Sequence, residues 1–127
     1  MHDAPSPAEL IAAVKSFIDD SAAPQLTGHA AFHARVASNV LATLLRELEQ
    51  RPAAESDEAT RLRAILKAGP DESTEAMNRD LCARIRSGEM DAATPGLFDH
   101  LKTTTIAQLS IDQPNYSGLK AALSKPA

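Results

Sequence analysis

Apolar residues recur along this chain at intervals of three and four, and no stretch alternates apolar with polar residues long enough to read as a strand. That periodicity restricts the fold to packed helices. Composition agrees, being rich in Ala, poor in Gly, with its β-branched residues scattered rather than clustered. Aromatic residues make up only 3%, so Leu, Ile, Val, Ala and a few Phe must build the core. A chain of 127 residues makes one domain that buries roughly two-thirds of its unfolded surface.

Turn and cap residues divide the pattern. Ser6-Pro7-Ala8-Glu9 opens a first helix with an N-cap, a first-turn proline and a capping-box glutamate. Leu10, Ile11, Val14, Phe17 and Ile18 then form an apolar stripe, and Pro24 ends it. A second helix is expected from Ala30 to Gln50, followed by a turn at Pro52 and the polar run Glu55 to Glu58. A shorter third helix turns Ala59, Leu62, Ile65 and Leu66 inward and stops at Gly69-Pro70. Asp71 to Thr74 caps a fourth, Thr74 to Ser87, which Gly88 terminates. Thr94-Pro95 opens a fifth that runs to Gln113 and closes at Pro114. Leu119 to Leu123 adds one more turn at most, and residues 1–5 and 117–127 are expected to be poorly ordered. The expectation is an all-α, single-domain bundle of about five helices with short connections, spanning 1–127.

Three of these helices carry polar residues inside an apolar face. At about 100° per residue, Phe32, Val36, Val40, Leu41, Leu44, Leu45 and Leu48 share one broad arc, with His33 near its centre and His29 beside it. Asn78 lies among Met77, Leu81, Cys82 and Ile85, while Thr105, Gln108 and Asp112 lie among Leu97, Phe98, Leu101 and Leu109. An unpartnered buried polar group costs about 1–3 kcal/mol. Three such interruptions suggest a shared buried cluster of His33, Asn78, Thr105 and Asp112, structural or functional. A capping role at the turn before Pro114 is the plainer reading of Asp112, and Cys82 reads as core packing.

Several functions find no support. The net charge of −4, from 17 acidic and 13 basic residues, argues against nucleic-acid binding. A single Cys82 forms no internal disulfide framework and fits a reducing compartment. Neither a signal peptide nor a membrane-length apolar run appears, so the expected location is cytoplasmic. The scattered glycines form no phosphate-cradling or dinucleotide motif, and no cofactor is expected. His29 and His33 have the four-residue spacing that lets two imidazoles share a metal, but two ligands do not complete a site, and no metal is expected. On the side of the second helix away from the leucine arc, Arg35, Asn39 and Arg46 flank the small Ala42. That stripe reads either as a solvated face or as a docking surface whose guanidinium groups grip a carboxylate or phosphate.

The segments Phe32 to Leu41, Arg46-Glu47-Leu48, Pro5 to Leu10, Asn78 to Gly88 and Leu109 to Tyr116 resemble a family of small bacterial accessory proteins (LvaB-like) of uncharacterised domain type. Their genes accompany aminoglycoside-phosphotransferase-like kinases and acyl-CoA dehydrogenases. The chain departs from the family pattern at Ser38, where an alanine is expected, and in Gln113-Pro114-Asn115-Tyr116, where the pattern reads Asn-Pro-Arg-Tyr. The missing arginine weakens any anion contact by that loop. The resemblance implies a non-catalytic accessory subunit of a kinase that phosphorylates hydroxyacyl-CoA, as in levulinate-type acid catabolism. The partner would supply the nucleotide and metal sites, and the acyl-CoA would be the substrate of the complex. Arg35, Asn39, Arg46, Asn115 and Tyr116 are then the candidate contacts. Two alternatives stay open: a stand-alone enzyme or ligand binder built on His33 and Asp112, and a self-associating homo-oligomer.

Overall fold

Capping chemistry sets the first helix where the sequence puts it. Residues 4–124 are described by a computed structural model. In it Ser6 accepts a hydrogen bond from the Glu9 amide at 3.3 Å while its own amide donates to Glu9 Oε2 at 2.6 Å. Helix α1 spans Pro7–Ser16 and continues as a π-helical turn, Phe17–Ala22, and a 3₁₀ turn, Ala23–Gln25. Pro24 lies in that last turn, where tighter hydrogen bonding ends the helical run.

The second and third expected helices are one. Helix α2 runs from Gly28 to Leu66, 39 residues, with Pro52 in its interior. A proline removes one backbone hydrogen bond and costs about 3 kcal/mol in mid-helix. Here Ala53, Ala54 and Glu55 follow it directly, all good helix formers, and no glycine or left-handed residue turns the chain aside. Glu47 also accepts two hydrogen bonds from Arg51 one turn before the proline. The helix ends at Lys67, which adopts the left-handed conformation (φ 56°), so that the Ala68 amide donates back to the Arg63 carbonyl at 3.2 Å. Gly69, expected to terminate it, lies beyond this turn.

Helix α3, Thr74–Ser87, carries a Ser73 N-cap and a left-handed Gly88 at its end, as the sequence predicts. Helix α4 spans Leu97–Asp112 behind Gly96, and Gln113 caps it ahead of Pro114. Thr94 does not cap α4. Its hydroxyl accepts from the Asp91 amide at 3.0 Å and ties a preceding turn instead. Helix α5, Ser117–Ser124, occupies a stretch from which little order was expected, and Leu119 seals it to the protein at 3% exposure. Residues 1–3 and 125–127 lie outside those described.

The protein is therefore all-α, with five α-helices among the described residues. It divides into two compact units at the position of the helix-interior proline, Met1–Arg51 and Pro52–Ala127. Unit 2 has a true core: Ala59, Leu62, Leu66, Met77, Leu81, Met90 and Leu97 form one buried cluster, with Ile65 packed against it. Unit 1 has no counterpart. Among its described residues only Ser38 is buried, and no large apolar side chain is.

Candidate functional site

The amino-terminal half of α2 is turned the opposite way from the sequence expectation. Its shielded positions form a stripe that starts with the small Ala31, Ala34 and Ser38 and broadens towards Arg51 to take in Leu41, Ala42, Thr43, Leu45, Arg46 and Glu47. Ser38 is 6% exposed and hydrogen-bonds Asp19 of the π turn. Asp19 also takes a 2.5 Å bond from Lys15, and the two donors, Lys15 first, hold its carboxyl below the ordinary range. With that stripe facing inward, Phe32, Val36, Val40, Leu44 and Leu48 stand outward, 44–55% exposed. Leu10, Val14 and Phe17 of α1 and its π turn are exposed as well. The apolar arc read as core is thus mostly surface, its large side chains standing outward while the small Ala31, Ala34, Ser38 and Ala42 are shielded.

The proposed shared cluster does not form. His33 is exposed and packs edge-to-face on the neighbouring Phe32, with ring centroids 5.7 Å apart. Thr105 is exposed, its hydroxyl donating to the Leu101 carbonyl of its own helix at 2.7 Å. Asp112, also exposed, accepts from Gln108 one turn earlier. Asn78 alone reaches another element, donating to Glu58 Oε1 on α2 at 2.8 Å.

That bond leads to the polar cluster that unit 2 does contain, between the end of α2 and helices α3 and α4. Arg61 donates to Thr104 Oγ1 at 3.2 Å, and Glu58 holds Asn78. His100 is 2% exposed, and its Nδ1 has no hydrogen-bond partner among the described residues; nor do the buried Nε atoms of Arg61 and Arg63. Burial pushes the His100 pKa down, Arg61 adds to the shift, and Glu58 opposes it. The imidazole is held neutral.

Sequence reasoning missed His100 and Thr104. On α4 two stripes compete: Leu97, His100, Thr104, Ala107 and Ile111 recur as regularly as Leu97, Leu101, Thr105, Gln108 and Asp112. The second is richer in leucine, yet the first packs inward, with Leu97, His100 and Ile111 buried. Phe98 and Leu101, on the leucine side, are 67% and 43% exposed. Cys82 likewise proves exposed, lining a shallow recess with Glu75, Asn78, Arg79 and Arg86 rather than packing in the core.

Of the candidate contact residues, Arg35 and Asn39 are exposed, and Arg35 makes no ion pair among the described residues. Arg46 is half-buried and donates to Thr43 Oγ1 at 3.0 Å. Asn115 and Tyr116 are exposed in the turn between α4 and α5. No group of three or more His, Cys, Asp or Glu side chains is placed to hold a metal among the described residues. No helix there is long and apolar enough to cross a membrane.

Against known proteins, the chain matches one family, described as a domain of unknown function (DUF6285), over residues 24–116. No curated protein and no solved structure matches it. The matched span starts in the 3₁₀ turn, takes in all of α2, α3 and α4, and ends at Tyr116.

Proposed function

Because the chain belongs to the DUF6285 family and turns an apolar ladder outward from α2, we propose that it is a non-catalytic accessory subunit. Its partner in this reading is an aminoglycoside-phosphotransferase-like kinase acting on hydroxyacyl-CoA, and both work in the cytoplasm. The ladder carries the proposal. Single exposed apolar residues are normal, but a continuous row over four turns of one helix marks a surface that another protein covers. Phe32, Val36, Val40, Leu44 and Leu48 offer anchors at the spacing of a helix that docks along a partner. Arg35 and Asn39 flank the row and add polar contacts at its rim.

The choice of a kinase rests on the resemblance of the segments around Phe32, Asn78 and Leu109 to kinase-associated accessory proteins. It also suits a sequence without a phosphate-cradling motif, since the partner then supplies nucleotide and metal binding. The alternative of a stand-alone enzyme built on His33 and Asp112 draws no support from two exposed side chains in different units.

Co-expression with an aminoglycoside-phosphotransferase-like kinase tests the proposal. The two chains should elute as one complex, and Val36→Asp with Val40→Asp should abolish it while helicity stays normal. A complex that survives the double substitution, or a homodimer that hides the ladder and excludes the kinase, would overturn it.

A further inference from the structure

We propose that the groove between α4 and α5 is a binding site for a small aliphatic carboxylate, a molecule with an apolar tail and one anionic head. The groove lies wholly within unit 2 and has a volume of about 380 Å³, within the range of ligand pockets. Phe98, Leu101, Leu109 and Leu119 supply apolar walls. It exists because α4 packs its His100 side inward and so leaves its leucine side facing α5.

The few polar groups on the lining define the head group. The Thr105 hydroxyl is already committed to the Leu101 carbonyl at 2.7 Å. Lys102 forms no ion pair and the Tyr116 hydroxyl no hydrogen bond among the described residues, and both line the groove. No acidic side chain lines it. A cation and a phenol over an apolar floor attract an anionic acceptor, and the ammonium group disfavours a cationic ligand.

Residue 118 shapes the same site. A Cβ there would lie 2.5 Å from Tyr116 Cε1, closer than a Cβ approaches another carbon, so only glycine lets the Tyr116 ring keep this position across the start of α5. The ring position is therefore written into the chain two residues away. The site does not depend on the kinase reading, and the isolated chain suffices to test it.

Tyr116 is the only tyrosine and there is no tryptophan, so its emission reports on this groove alone. Titration with decanoate below its micelle concentration should change that emission saturably, with one site by calorimetry. Decanol, with the same tail and no charge, should bind more weakly. Lys102→Met should weaken decanoate about tenfold, the loss of one charge-assisted hydrogen bond, and leave decanol unchanged. Gly118→Ala should weaken both by displacing the ring. Tyr116→Phe, followed by calorimetry, keeps the ring and should weaken decanoate severalfold even where Gly118→Ala fails to fold. Absence of saturable binding would overturn the proposal. So would equal affinity for decanol, or Lys102→Met binding decanoate like the parent chain. If Lys102→Glu disrupts a protein complex while decanoate never binds, the groove's occupant is a partner helix and the proposal falls.

Discussion

One helix, α2, runs through two environments. Beyond Pro52 its Leu62 and Leu66 are sealed, 0% and 5% exposed, within a cluster that α3 and the turn before α4 complete. Before Pro52 the same kind of residue at the same kind of spacing, Val40 or Leu44, stands about half exposed. Helical periodicity is equal in the two halves; what differs is the supply of covering residues. Unit 2 has apolar side chains on α3, at Met90 and at the start of α4 to close over α2, whereas in unit 1 Leu10 and Val14 of α1 are themselves exposed and, among the described residues, Ser38 alone is buried. The same helical pattern thus builds a sealed core in one unit and an exposed apolar row in the other, and it is on that row that the proposed partner would dock.

The largest test of that contrast compares Leu62→Ala with Val40→Ala in the isolated chain. Deleting a fully buried leucine leaves a cavity and should cost about 3 kcal/mol in chemical denaturation. Trimming Val40 should change stability by no more than about 0.5 kcal/mol. Equal losses would show that unit 1 owns a core after all.

The buried polar groups sharpen the comparison through pH. His100 is neutral in the folded state, with its pKa below the ordinary 6.5 that an unfolded chain restores. Above that value neither state is charged and stability is independent of this group. As pH falls below 6.5 the unfolded chain takes up the proton first, so stability drops by up to about 1.4 kcal/mol per pH unit until the folded pKa is reached. Glu9, Asp19 and Glu47 have lowered pKa values and lose their contribution only below their ordinary values of 4.5, 3.8 and 4.5, a separate window. Urea denaturation between pH 7 and 5 should show the slope, and His100→Gln should flatten it. A slope that persists in that variant would place the titration elsewhere.

Smaller effects follow at surface positions. Lys67→Gly relieves a left-handed residue at the end of α2 and should stabilise unit 2 by about 1 kcal/mol. A lower melting temperature would mean that the Lys67 side chain holds something more than its backbone. Smallest of all, His33→Ala and the pair Arg35→Ala with Asn39→Ala should leave melting within about 0.5 kcal/mol of the parent, because all three side chains are exposed. The double variant should still weaken kinase binding in a pull-down. Unchanged binding would confine docking to the ladder itself.

The sequence by itself determined the helices and most of their ends. Ser6 with Glu9, Ser73, Gly88 and Pro114 act on neighbours within a few residues, so their effect is local and readable. It also located the inward face of α2 at Ala59, Leu62, Ile65 and Leu66, where only one side of the helix is apolar. Pro52 misled because a proline weakens a helix without dictating that the chain turn, and Lys67 carried no sign that it would adopt a glycine-like backbone. The tertiary structure alone decided which of two stripes on α4 turns inward, and that the amino-terminal half of α2 shields Ala31, Ala34 and Ser38 while Phe32, Val36 and Val40 stand outward. Periodicity gives the angle between residues on a helix but not the rotation of that helix against its neighbours. That rotation is fixed by how closely side chains far apart in sequence allow two helices to approach, and so it put His100 inside and the expected cluster of His33, Thr105 and Asp112 at the surface.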